Sequence, residues 1–197
     1  MRQRDERKEK AVIDKAIELI VSDGVEGFSM NKLAKACGIS VATLYIYYKD
    51  KEDLVRHLGT EMSRQFFESS LNGFEPEMSF REGLWTQWQN RMNFTLENPQ
   101  HTACFEILRQ TMHRSDMLDN SNMAVFKDKM RRFTQNAIDR KEIPELPIEV
   151  YWSIAYGPLY TLLRFQSEGQ SMGGKPYKLT REDIKTTFET VIKALTP

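Results

Sequence analysis

The stretch from Ser29 to Tyr48 constrains this chain more than any other. It holds two runs of helical periodicity separated only by Cys37-Gly38-Ile39-Ser40. In the first run Met30, Leu33, Ala34 and Cys37 share one face, which predicts a short helix over Met30 to Ala36 capped by Ser29. Gly38 ends it, because glycine reaches a positive φ at little steric cost. Ser40 caps the second run, expected from Val41 to about Tyr47. Two short helices joined by a tight glycine-containing turn make a helix-turn-helix pattern.

The rest of the chain also reads as helix. Val12, Ile13, Ala16, Leu19 and Ile20 have helical spacing, and Gly24 stops that helix. Further helices are expected over about 51–70, 80–98, 102–112, 120–140, 148–168 and 181–195. Ser79 with Glu82, and Thr180 with Asp183, have the spacing of capping boxes. Gly157-Pro158 predicts a kink inside 148–168, since proline removes a backbone donor. GQSMGGKPY, residues 169–177, reads as a flexible loop. The expected fold is all-α, about nine helices, with a three-helix head and a larger bundle behind it. The head is expected over 1–50, joined through the helix 51–70, with the second domain over 51–197.

Composition narrows the function. The 197 residues carry 28 basic and 28 acidic side chains, so a chain coated in positive charge is excluded but a local patch is not. Residues 29–51 hold Lys32, Lys35, Lys49 and Lys51 against Asp50 alone. Neutral net charge predicts modest non-specific DNA affinity that falls steeply with salt. No run of 18 apolar residues suggests a membrane span, and the charged start MRQRDERKEK lacks the apolar core of a leader peptide. Cys37 and Cys104 are the only cysteines and read as reduced thiols, so a cytoplasmic protein is expected. Phosphate loops, nucleophile elbows, metal-spaced His/Glu sets and paired carboxylates are missing, so neither catalysis nor a cofactor is expected. The densest polar set, His101, Cys104, Glu106 and His113, has no established ligand or catalytic spacing.

On the second short helix Leu44 and Tyr48 fall inward, towards Leu33. Ala42, Thr43, Tyr45 and Ile46 fall outward. Such a helix fits a DNA major groove. Ala42 and Ile46 can meet thymine methyls, and Tyr45 can stack or donate a hydrogen bond, although partial burial is an equal reading for it. Thr43 and Tyr47 can reach phosphates. Lys51 and Ser29 sit at helix starts, where a phosphate also meets the positive end of the helix dipole. Lys32, Lys35 and Lys49 read as solvated charges. The basic start (Arg2, Arg4, Arg7, Lys8, Lys10) is either a DNA arm or, with Asp5, Glu6 and Glu9 between, a solvated helix end.

Taken together, Ala16/Leu19/Ile20, Gly24, Phe28-Ser29-Met30, Leu33-Ala34, Gly38-Ile39-Ser40, Thr43-Leu44-Tyr45, Tyr47-Tyr48 and Lys51-Glu52-Asp53-Leu54 resemble the tetracycline-repressor-like (TetR) transcriptional regulators over about residues 8–57. The resemblance implies an N-terminal DNA-binding domain, a helical effector-binding domain and a homodimer on a palindromic operator of double-stranded DNA. It implies phosphate contacts at Thr43, Tyr47 and Lys51, and places Val41, Ala42, Tyr45 and Ile46 near bases. Ile46 departs from the polar or aromatic residue frequent there. A two-fold dimer would set two recognition helices about 34–36 Å apart or a multiple of that.

The second domain is rich in large soft side chains. Trp85, Trp88 and Met92 lie on one expected helix, Phe105, Leu108 and Met112 on the next, Met123, Phe126 and Met130 on a third, and Tyr156 and Tyr160 on the kinked one. Stripes of this kind are most often core. The family resemblance makes them candidates for lining an effector site, and with few evident buried charges they suit an apolar or aromatic small molecule. By the same resemblance the last two long helices form the dimer surface, with Tyr151, Ile154 and Leu162 on one and Ile184, Phe188, Val191, Ile192 and Leu195 on the other. That last stripe can bury itself on its own body or on a partner. The favoured reading is a homodimeric repressor released by its effector. The alternative is a DNA-binding factor without an effector, structural in role or controlled by a protein partner.

Overall fold

The computed structural model describes residues 6–111 and 121–197. Met112, Arg2 and Arg4 lie outside them. The described chain is helical: α1 (Glu6–Gly27), α2 (Met30–Cys37), α3 (Val41–Leu44), α4 (Lys51–Ser70), α5 (Phe80–Glu97), α6 (Pro99–Thr111), α7 (Ser121–Asp139), α8 (Ile148–Ala155), α9 (Gly157–Glu168) and α10 (Arg181–Leu195). No helix among the described residues is long and apolar enough to cross a membrane.

The chain forms two compact units whose boundary differs from the expected one at residue 50. The first contains the described residues up to Gln65 and those from Asn98 to Met123. Here α1 packs on both α2 and α6. Ile17, Ile20, Leu33, Leu44, Leu54, Leu58, Cys104 and Leu108 form its core. Each such aliphatic side chain contributes about 1.5–3 kcal/mol on burial. The local signals explain why the short helices hold. Ser29 Oγ accepts the Lys32 N–H at 3.3 Å, and Ser40 Oγ accepts the Thr43 N–H at 3.2 Å. Gly38 stands at φ 64°, ψ 30°. There its N–H donates to the Lys35 carbonyl at 3.2 Å, and the Ile39 N–H donates to Ala34 at 3.0 Å. That pair of bonds is a Schellman ending, and it sets the angle at which α3 leaves α2.

The helix expected over Val41 to Tyr47 is α-helical only to Leu44. Beyond it the Ile46 and Tyr47 N–H groups reach back three residues, to Thr43 at 3.3 Å and Leu44 at 3.0 Å. The tightened turn keeps Tyr48 on the buried side with Leu44.

The second unit comprises residues 66–97 and 124–197. The buried face of α5 carries Phe80, Gly83, Leu84, Gln87, Trp88 and Arg91. Phe133 on α7 meets Phe74 edge-on with centroids 5.1 Å apart and stacks on Phe80 at 6.0 Å. Both expected capping boxes form, at Ser79/Glu82 and Thr180/Asp183. At Gly157-Pro158 the helix does more than kink. Tyr156 leaves helical geometry at φ −122°, ψ −24°, and α8 and α9 are separate helices. The break frees carbonyls in the last turn of α8, and the Trp88 indole N–H donates to that of Ala155 at 2.8 Å. The segment read as a flexible loop closes on itself. Ser171 N–H donates to the Lys175 carbonyl at 2.8 Å and Tyr177 N–H to Gly169 at 3.0 Å.

Candidate nucleic-acid interface

The surface at α3 follows from its anchors. Leu44 is completely buried and Tyr48 nearly so, which fixes the rotation of the short helix on the first unit's core. Tyr45 and Ile46 between them then face solvent. Ala42 is exposed, Tyr45 is 54% exposed and Ile46 is 64% exposed. Val41, Thr43 and Tyr47 are half-buried at the edges. An Ile and a Tyr held side by side in water on a rigid turn form an apolar patch with polar margins, the chemistry that meets base edges and methyl groups in a major groove.

The margins are less simple. The Ser29 hydroxyl oxygen is engaged as the cap of α2, which leaves its proton available to an anion. Thr43 Oγ1 shares a hydrogen bond of 2.9 Å with Ser40 Oγ. Lys32 is not a free solvated charge: its Nζ donates to Asp23 Oδ2 at 3.0 Å and to the Gly27 carbonyl at 2.8 Å. Hydrogen bonds from Lys32 and from Ser22 hold the Asp23 carboxyl below its ordinary range. Lys35 and Lys49 are exposed. At the start of α4, Asp50 Oδ1 accepts the Asp53 N–H at 2.8 Å and Asp53 Oδ2 accepts the Lys49 N–H at 3.0 Å. The chain's own carboxylates therefore already occupy part of the helix end expected to meet a phosphate, and the cation there is the half-buried Lys51 side chain.

In the second unit the residues expected to line an effector site divide into separate groups. Trp85 lies on the outer surface, edge-on to Phe188 at 4.8 Å, in a shallow groove with Arg81, Lys185 and Glu189. Trp88 is buried against Phe188 and Ala155. Met92 is half-buried and Met130 buried. Leu108 is completely buried in the first unit's core and Phe105 packs against that core, so both are structural fill there. Met123 is also buried, at the end of the first unit. Phe126, Tyr156 and Tyr160 do come together, and the group they surround is a guanidinium. Arg91 is completely buried, with Tyr156, Trp152, Phe66 and Phe126 rings at 4.5–5.6 Å from its Cζ. Few buried charges are expected from the sequence of the body, and Arg91 is one not named there. Its signal was present in the sequence, because Arg91 continues the stripe Phe80, Leu84, Gln87, Trp88 at positions i+4, i+7, i+8 and i+11.

Of the two readings open for the last stripe, burial on its own body is the one the single chain displays. Ile184, Phe188, Val191, Ile192 and Leu195 are buried within the single chain, where α10 packs on α8 and α9, and Tyr151 is buried as well. A helix with one apolar stripe cannot offer that stripe to its own bundle and to a partner together. Ile154 and Leu162 remain half-buried, and Ile148 and Val150 are exposed.

Residues 12–58 match the family described as bacterial regulatory proteins, tetR family. The fatty acid metabolism regulator protein of Bacillus subtilis is 33% identical over 73 residues, 37% of this chain and 38% of that one. A helix-turn-helix-type transcriptional regulator of Haemophilus influenzae is 30% identical over 81 residues, 41% of this chain and 43% of that one. The chain thus spans less than half the length of these relatives. Over the whole fold, a TetR family transcription regulator from Marinobacter aquaeolei superposes with a TM-score of 0.80 at 28% identity, covering 99% of this chain and 98% of that one. Residues 12–58, the helix-turn-helix head, carry the match to the tetR family of bacterial regulatory proteins, and over its length the chain is similar in fold to the Marinobacter aquaeolei regulator.

Proposed function

We propose that the protein is a sequence-specific DNA-binding transcriptional regulator in which α3 is the recognition helix. The observation that carries this reading is the pair Tyr45 and Ile46, exposed side by side while Leu44 and Tyr48 pin the same turn to the core. Val41, Ala42, Tyr45 and Ile46 face the bases. Ser29, Thr43, Tyr47 and Lys51 hold phosphates and fix the register. The protein acts as a homodimer on a palindromic operator. Since the α10 stripe is spent internally, the partner docks on the remaining apolar surface of α8 and α9, including Ile154 and Leu162. It represses, and a small-molecule effector bound in the second unit releases it. By linkage the effector must bind the DNA-free state more tightly, and DNA weakens effector binding by the same factor.

The test is a gel shift at physiological salt with the intergenic DNA beside its own gene, comparing the wild type with Tyr47→Ala and Lys51→Ala. A specific shift weakened in both variants supports the reading. A shift of equal strength in all three proteins removes α3 and the start of α4 from the interface and overturns it.

A further inference from the structure

Arg91 is the least explained charge in the described chain. A guanidinium keeps its proton at any ordinary pH, so burial cannot neutralise it. It is completely buried, and its hydrogen bonds among the described residues go to a phenol and an amide rather than to a carboxylate. Its Nη1 donates to the Tyr160 hydroxyl at 2.6 Å and its Nη2 to Gln87 Oε1 at 3.0 Å. Its Nε–H has no acceptor. The hydroxyls of Tyr151 and Tyr156, on α8 and at the α8–α9 break, are also buried; neither makes a hydrogen bond of good geometry, and they interact with each other and with Arg91. Burial raises both phenols, Tyr156 to about 12, so each stays a neutral donor. Four aromatic rings cover the guanidinium and ease its burial by cation–π attraction, but a ring does not satisfy an N–H. One region of the second unit therefore holds a positive charge without a counter-ion, an open Arg91 N–H and two weakly satisfied phenols beside it. An unpaired buried charge is costly, and natural chains leave one where something else completes it.

We propose that Arg91 anchors the carboxylate of a small organic acid whose remainder is apolar. This deepens the effector reading above and rests on it. The charges choose the head group. One guanidinium balances one carboxylate, whereas a phosphate dianion would leave net negative charge among Phe66, Phe126 and Trp152. The geometry agrees. Four rings stand 4.5–5.6 Å from Cζ, and the open Nε–H lies on the edge of the guanidinium, from which an arginine grips a carboxylate oxygen. The apolar part of the acid would lie against the surrounding aromatic side chains.

Sodium octanoate and sodium phenylacetate, each beside its primary amide, are titrated into the full chain by tryptophan fluorescence and thermal melting. Trp152 reports on the site from 5.3 Å. At least one acid should saturate, with its amide binding about tenfold more weakly or worse, the ratio expected when one charge-assisted hydrogen bond is lost. Arg91→Gln should bring the acid down to the level of its amide, and Arg91→Lys should restore part of the difference. The acid and amide comparison on the wild type stands even if Arg91→Gln does not fold. An amide binding as tightly as its acid overturns the proposal, and so does neither acid binding at millimolar concentration. Gel shifts with the same compounds separate the two readings. Neutral compounds that release the DNA leave the effector reading standing without Arg91. An acid that binds through Arg91 and leaves the DNA complex intact keeps the anion site and sinks the release mechanism.

Discussion

Gly83 on α5 gives up its side chain to the ring of Phe133 on α7. A methyl group at Gly83 would lie 2.3 Å from Phe133 Cε2 and 2.6 Å from Cζ, far inside van der Waals contact. The ring cannot step aside, because it is completely buried between Phe74 and Phe80. Gly83→Ala should therefore destabilise the second unit by about 2 kcal/mol, the middle of the range for overpacked cores, despite alanine's better helix propensity. In a chain of this size that is a fall of roughly 4–8 °C in Tm. Adding Phe133→Leu should recover part of the loss, since the two residues share one volume. Urea unfolding of the single and double variants measures this, and an unchanged midpoint for Gly83→Ala would show the contact to be relaxed in solution.

Lys141 is the one non-glycine described residue at positive φ, at 59°. It ends α7 in the geometry that Gly38 gives α2: its N–H donates to the Ile138 carbonyl at 2.8 Å, and the Glu142 N–H donates to Ala137 at 2.9 Å. A side chain with a Cβ pays about 1 kcal/mol for that conformation, and glycine does not. Part of the gain returns through the greater freedom of glycine in the unfolded chain. Lys141→Gly should still raise stability by about 0.5 kcal/mol, and Lys141→Ala should give no such gain. A destabilised glycine variant would mean that the Lys141 side chain holds something in place.

The helical sequence signals worked where the cause was local. Ser29, Ser40, Gly38 and both capping boxes are decided by backbone atoms within a few residues, and each forms as its spacing predicts. Leu44 and Tyr48 fall inward because a helical turn has only one buried side. The helices after α4 were less legible because their decisions are made across the fold. Whether the α10 stripe meets its own chain or another depends on where α8 and α9 stand. Phe105 and Leu108 look like pocket residues until α6 is found packed on α1. Arg91 was passed over for a different reason. A charged residue is normally assigned to solvent, and only its register on the buried stripe of α5 says otherwise.

Glu142 ties two elements of the second unit together and should make its stability depend on pH. Its carboxylate accepts the Phe80 N–H at the start of α5 at 2.6 Å and the Arg140 Nε–H at 3.0 Å. Burial pushes the carboxyl up, but the bonds from Arg140 and Phe80 outweigh it and the net shift is downward. A carboxyl with a lower pKa folded than unfolded adds stability above the unfolded value, about 4.3, and loses it as pH falls through the folded value. Wild type and Glu142→Gln should therefore differ most near neutral pH and converge in acid below about pH 4. Unfolding midpoints taken from pH 7 down to pH 3 would show it, and a constant gap across that range would mean that the carboxylate's charge contributes nothing.

The outward face of α3 should separate specificity from affinity. Ile46 is 64% exposed and supports no core, so Ile46→Ala should leave Tm within about 1 °C of wild type. If Ile46 lies against a thymine methyl, removing it should weaken operator binding by about tenfold while leaving binding to random DNA unchanged, because random DNA is held through phosphates. Lys51→Ala should do the reverse. It should weaken both kinds of DNA and lower the salt slope of log K by about one, the loss of a single phosphate contact. Fluorescence anisotropy on operator and random duplexes across a series of salt concentrations reads all of these quantities from one set of titrations. An Ile46→Ala protein that loses random and operator DNA equally would mean that the exposed apolar turn is held by the backbone, and that the bases are read elsewhere.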